Sequence, residues 1–100
     1  MSQASQRHPH DPHLILTVLR LLAAIDELGG VGAAARALGM TQPSASRSLA
    51  SLERHLGYVL LERTPRGSTL TRNGLAVVGQ ARAVLGAQER LERTVDALAS

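Results

Sequence analysis

The amino-acid sequence predicts a mainly α-helical fold, four helices with one β-hairpin between the third and the fourth. Three observations predict it. Apolar residues recur at helical spacing over most of the chain, Gly and Thr signals punctuate those runs, and one Pro/Gly turn separates two short β-prone segments. The chain of 100 residues is the size of one small domain, with 44% apolar residues. Tyr58 is its single aromatic residue, so its interior must be aliphatic.

Each element has a local reason. The first ten residues, MSQASQRHPH, read as a polar, disordered lead. Asp11 and Pro12 then make an N-cap and first-turn pair, and Leu14, Val18, Leu21, Leu22, Ile25 and Leu28 repeat at helical spacing until Gly29 and Gly30 stop the first helix. A second, short helix covers residues 31–38, where Ala34, Ala35 and Leu38 make a narrow apolar face and Gly39 can take the left-handed conformation that ends it. Thr41 is a good N-cap for a third helix over residues 42–56, its hydroxyl placed to accept from the N–H near Ser44, with Gly57 as the stop. Pro43 is tolerated in that first turn, whose N–H groups lack intrahelical partners. Residues 58–63 and 69–71 read as two strands around the turn Thr64-Pro65-Arg66-Gly67-Ser68. Thr71 can cap a last helix over residues 72–99. Along it Leu75, Val78, Ala81, Leu85, Leu91, Val95 and Leu98 fall near a 3.5-residue period interrupted by Gln88. A helix of roughly 27 residues reaches about 40 Å, beyond a compact body of this size, so a second copy covering the stripe is the economical expectation.

Composition narrows the function. Eleven basic residues against eight acidic ones give +3, and all eleven are Arg. Arginine forks onto phosphate and guanine edges in a way lysine does not, while codon usage in a GC-rich genome is the competing cause of the same bias. Arg47, Arg54, Arg63, Arg66 and Arg72 share one segment with only Glu53 and Glu62 opposing them, a local surplus of positive charge. There is no cysteine, which excludes disulfides, thiolate metal sites and a thiol nucleophile. No apolar run is long enough to span a bilayer and no signal-peptide core stands at the N-terminus, so the expectation is a soluble, cytoplasmic protein without a membrane partner.

The most informative stretch is AARALGMTQPSASRSLASLERHLG, residues 34–57: a short helix, a Gly-containing turn and a second helix, the layout of a helix-turn-helix reader of DNA. Ala45, Leu49, Leu52 and Leu56 form the buried stripe of the second of these helices, leaving Ser44, Ser46, Arg47, Ser48 and Ser51 largely off it. Serine is a middling helix former, so close approach to phosphates or base edges explains this cluster better than helix stability does. A solvated face written with serine is the competing explanation. The hairpin that follows has the position of a wing, with Arg66 beside Gly67 at its tip, suited to a minor groove or its flanking phosphates.

These residues resemble a known family. The motif AA-R-x-L at Ala34, Ala35, Arg36 and Leu38 is followed by T-Q-P-S-x-S over residues 41–46. Then come L-E-x-x-L-G at Leu52, Glu53, Leu56 and Gly57, L-x-R-T-x-R-G over residues 61–67, and L-T-x-x-G at Leu70, Thr71 and Gly74. In this order and spacing they are similar to the N-terminal DNA-binding domain of LysR-type transcriptional regulators, over residues 19–75. The resemblance implies a winged helix-turn-helix, three helices plus a β-hairpin wing, over residues 11–70, with a linker and dimerisation helix over residues 71–100. It implies a homodimer, paired through Leu75, Val78, Ala81, Leu85, Leu91, Val95 and Leu98, on an interrupted palindromic operator of double-stranded DNA. It places DNA contacts at Gln42, Pro43, Ser44 and Ser46, with Arg47 next along the exposed face, and at the wing arginines Arg63 and Arg66; by their positions on the same elements, Thr41, Ser48, Ser51, Gly67 and Arg72 complete the expected DNA-binding set.

Departures from the family pattern fall at core and cap positions. Leu61 stands where the family usually has Phe, and Gly30-Val31 where it often has Ser-Phe; Gly30 remains an acceptable N-cap, a few tenths of a kcal/mol poorer than Ser. The family's effector-binding domain is absent from these 100 residues, so small-molecule regulation and tetramer formation are not expected within them; the expectation is a piece of a longer protein, with a naturally short protein as the alternative.

Three other chemistries are set aside. Gly30, Gly32 and Ala35 match the dinucleotide pattern G-x-G-x-x-A, but a helix rather than a strand precedes them. His8, His10 and His13 with Asp11 lack a scaffold for a metal. No nucleophile and base, or paired carboxylates, stand at workable spacing, and His55 and Glu53 do not face each other on a helix, so neither catalysis nor a cofactor is expected. A winged helix used only for protein interaction is the rival of the DNA-reading function.

Overall fold

The computed structural model describes residues 12–65 and 67–99, with side chains from Leu16 onward. The expected lead, Asp11 at the first cap, His8, His10 and Arg66 at the wing tip lie outside the described residues, as does the side chain of His13. The elements run α1 (Pro12–Leu28), α2 (Val31–Ala37), α3 (Gln42–Leu56), β1 (Leu61–Thr64), β2 (Gly67–Leu70) and α4 (Arg72–Leu98). This is a winged helix-turn-helix followed by a long helix, as the sequence predicts.

Helix α1 is central and packs against α2, α3, α4 and β2. Its stripe of Val18, Leu21, Leu22 and Ile25 is buried together with Val31, Ala34 and Ala35 of α2, Ala45 and Leu49 of α3, Leu60 and Val78. The core is wholly aliphatic, and small residues on α2 let it lie close to α1. The turn between α2 and α3 is closed by two backbone bonds, Met40 N–H to the Ala35 carbonyl at 2.8 Å and Gly39 N–H to the Arg36 carbonyl at 3.2 Å. Gly39 sits at φ 70°, so this is the glycine-dependent Schellman arrangement, with Met40 tucked against the core. Gly57 ends α3 in the same left-handed region, at φ 80°.

The wing is an antiparallel pair in register Leu61↔Leu70, Glu62↔Thr69, Arg63↔Ser68 and Thr64↔Gly67. It differs from the predicted strands at both ends. Residues 58–60 are not in the ladder, because the Leu60 N–H is held by the Glu53 carboxylate instead. At the tip, Thr64 joins β1 and Gly67 and Ser68 join β2, so the ladder runs further into the predicted five-residue turn. The Thr64 hydroxyl donates to the Gly67 carbonyl at 3.1 Å and closes that turn.

The expected dimer stripe of α4 divides in two. Val78 and Ala81 are buried within the protomer, where α4 packs on α1, so they are not available to a partner. Leu85 is half-buried, and Leu75, Leu91, Val95 and Leu98 are exposed, joined by Val84, which the periodicity did not single out. A 3.5-residue pattern cannot tell intra-chain from inter-chain burial, and the first half of α4 belongs to its own domain. From Glu89 to Ala99 every residue is exposed.

Candidate nucleic-acid interface

Helix α3 buries Ala45 and Leu49 and turns its opposite side outward. Thr41 caps it as expected, its Oγ1 accepting from the Ser44 N–H at 3.2 Å with Pro43 in the first turn. Thr41, Gln42, Pro43 and Arg47 are exposed, while Ser44, Ser46, Ser48 and Ser51 are half-buried along the edges. Short side chains on those edges leave the backbone of α3 open to close approach. Among the described residues, none of the large exposed apolar side chains lies on α2, α3 or the wing strands.

The wing is held against α3 through the backbone of Leu60. Glu53 Oε2 accepts from the N–H of Leu60 at 2.7 Å and of Leu61 at 3.1 Å. The Leu60 carbonyl in turn accepts from the Thr71 N–H at 2.9 Å. Thr71 caps α4, its hydroxyl accepting from the Gly74 N–H at 3.0 Å while donating to the Val59 carbonyl at 2.7 Å. A Cβ on Gly74 would stand 2.2 Å from the Leu60 carbonyl oxygen, closer than any side chain can come, which is why the L-T-x-x-G segment needs its glycine. The sequence presented Glu53 as an opposing charge and a member of the L-E-x-x-L-G motif, with no contact assigned to it. Its carboxylate is committed to two backbone donors, and that placement was invisible because it depends on the turn at Gly57 bringing residue 60 back over α3.

Arg36 of α2, Arg47 and Arg54 of α3, Arg63 of the wing and Arg72 at the start of α4 are exposed, against one exposed carboxylate among the described residues of α2, α3 and the wing, Glu62. Ser46 and Arg63, expected on separate elements, line a single cleft between α3 and the wing together with Ala50, Glu53 and Ser68. Arg72 is exposed at the start of α4, outside that cleft. Gly67 is exposed at the wing tip. Gln42 Oε1 and an Arg36 guanidinium nitrogen lie 3.2 and 3.8 Å from the one point where a Cβ on Gly32 would stand. The Gln42 side chain therefore rests over α2 beside Arg36, a residue that sequence reasoning did not assign to the site; an Arg one helical turn after Gly32 was the available signal.

Residues 16–75 match the family of bacterial regulatory helix-turn-helix proteins, lysR family. The chain belongs to that family. It is 48% identical over 67 residues to the HTH-type transcriptional regulator TfdS of Cupriavidus pinatubonensis, covering 67% of this chain and 23% of the relative. Among solved structures it is similar to the DNA-binding domain of CbnR in complex with DNA, with a TM-score of 0.75 and 38% identity over 85% of this chain and 98% of that one. It is similar also to the BenM DNA-binding domain bound to catB site 1 DNA, with a TM-score of 0.78 and 32% identity over 85% of this chain and 96% of that one. The chain spans about a quarter of the length of the curated relatives it matches. The match to this LysR family takes in the whole of α2, α3 and the wing and stops at Leu75, the fourth residue of α4.

Proposed function

We propose that this chain reads double-stranded DNA by sequence, as the DNA-binding part of a LysR-type transcriptional regulator in the bacterial cytoplasm, paired through α4 on an interrupted palindromic operator. The observation that carries the reading is the outward face of α3, where exposed Gln42 and Arg47 stand among half-buried serines and the wing flanks them with Arg63. Solved LysR-family domains of the same shape, those of CbnR and BenM, are complexes with DNA. Gln42, Ser44, Ser46 and Arg47 meet base edges in the major groove, where Gln pairs with adenine and Arg with guanine. Arg63, Arg66 and Arg72 meet phosphates or the minor groove and make the binding salt-dependent. Thr41 and Pro43 set the start of the reading helix, Ser48 and Ser51 line its phosphate side, and Gly67 lets the wing tip approach.

A protein-interaction module would carry large apolar side chains on this face, and among the described residues α3 exposes none. The exposed apolar residues of α4, Leu91, Val95 and Leu98 above all, supply the pairing surface instead. No step of this function uses a catalytic group or a cofactor. Fluorescence-anisotropy titration against a randomised duplex pool and its enriched winners, at two salt concentrations, tests the reading. Selective, salt-sensitive binding to a two-fold-symmetric site is expected; no binding at low salt overturns it in favour of a protein-interaction role.

A further inference from the structure

Two polar ties, in addition to apolar packing, join α4 to α1. Arg82 spans two carboxylates at the end of α1, its guanidinium donating to Asp26 Oδ2 at 2.6 Å and to Glu27 Oε2 at 3.2 Å. Its pKa is raised above the usual arginine value, first by the hydrogen bond to Asp26 and then by that to Glu27, so it stays charged in any workable buffer. The second tie runs from the Arg20 guanidinium to Gln88 Oε1 at 3.0 Å. Residues 26 and 20 on α1 pair with 82 and 88 on α4, equal steps in opposite chain directions, so the two helices run antiparallel along this seam. Val78 and Ala81 are buried at its near end.

One tie would leave a pivot. Two ties about 9 Å apart along the helix, with a buried end, define a direction. All five side chains are solvent-exposed or half-exposed, and exposed ion pairs contribute little to stability, so the seam is poorly explained as a stabilising device. A function in setting angle fits it better. From Val78 to Leu98 the helix extends about 30 Å, so a swing of roughly 10° moves its far end about 5 Å, more than the ~3.4 Å rise of a base pair.

We infer that the Arg82 clamp on Asp26 and Glu27, with the Arg20–Gln88 tie, fixes the angle between the reading body and α4 and thereby selects the separation of the two half-sites a paired molecule accepts. Arg82 is a positioning residue for site geometry and contacts no base. The inference rests on the proposed pairing through α4. Its determinants lie on the α1–α4 seam, away from the reading face of α3.

The test measures binding of the wild-type chain, Arg82→Gln, and the double variant Asp26→Asn with Glu27→Gln. The probes are the half-site that the wild-type chain enriches from a random pool, used singly and as inverted pairs whose separation is stepped one base pair at a time. The wild type is expected to lose roughly tenfold in affinity one base pair from its best separation, and both variants no more than about threefold, with single half-site affinity and melting temperature unchanged. A variant that keeps the wild-type separation profile overturns the inference. If the wild type itself gains nothing from a second half-site at any separation, the pairing reading fails, and the inference with it. A variant that loses single half-site affinity instead shows that Arg82 acts on the reading face, which also overturns it.

Discussion

The junction behind the wing and the outer face of α3 share helix α3 and are opposite in character. At the junction, the backbone of Leu60 is gripped by Glu53, Thr71 and the bare Cα of Gly74, and each of these groups serves the others. On the outer face, Gln42, Pro43 and Arg47 are exposed, and the fold asks little of them. The difference separates residues that shape the site from residues that use it. Substitutions at the junction should register in stability, and substitutions on the face should register in base preference alone.

The largest expected effect is at Gly74. Ala is ordinarily the better residue in a helix, by about 0.8–1 kcal/mol. Here the added Cβ would sit 2.2 Å from the Leu60 oxygen and 3.1 Å from Leu70 Cδ2, and neither can retreat without breaking the bond to the Thr71 N–H or opening the base of the wing. Gly74→Ala should therefore cost about 3 kcal/mol, measured by chemical denaturation. A neutral or stabilised variant would show that the wing base is soft and that the comparison with the α3 face is overdrawn.

Next is Glu53. Truncation to Ala leaves two backbone donors at a part-buried site without their acceptor, a loss of about 2–3 kcal/mol, whereas Gln keeps an acceptor oxygen and should lose about 1 kcal/mol. Equal losses in the two variants would mean that the charge, rather than the acceptor, positions the wing. Arg47→Ala probes the other region. An exposed side chain with no structural duty should change stability by less than about 0.5 kcal/mol, yet its removal should relax base preference at one position of the site by about 1–3 kcal/mol, read from binding to single-base variants of the enriched duplex. Unchanged preference would remove Arg47 from the reading set.

The same division governs what the sequence made legible. Helix ends written in local chemistry were read to within a residue: the Thr41 cap bonding Ser44, the Thr71 cap bonding Gly74, and the left-handed stops at Gly39 and Gly57. The wing was misplaced by three residues at its first strand, because the partner of the Leu60 N–H is seven residues back on another element. No periodicity encodes that. The α4 stripe is split between two surfaces for a related reason. Val78 and Ala81 satisfy both a dimer seam and an intra-chain core, and only the position of α1 decides between them. The outward residues of α3 were legible in type and place, whereas the resting place of the Gln42 side chain over Gly32 was not.

That last detail gives a small stability change of the opposite sign and the sharpest separation of the two regions. Gly32 lies within α2, where nothing about the backbone demands glycine: its φ is not in the left-handed range, and the nearest atoms belong to the Gln42 and Arg36 side chains. Gly32→Ala should thus stabilise the fold by about 0.5–1 kcal/mol, raising the melting temperature by a few degrees. The new methyl would stand 3.2 Å from Gln42 Oε1, tighter than ordinary contact, so the carboxamide must move. A more stable protein with altered preference at the base that Gln42 meets, and an unchanged salt slope, is the expected pairing of results. Gly74→Ala and Gly32→Ala are the same chemical change, and opposite signs in stability would follow from what each Cβ meets: fixed backbone at the junction, the flexible end of a reading side chain on the face. If Gly32→Ala stabilised the chain and left every base preference intact, Gln42 would be reading from a rotamer that α2 does not constrain.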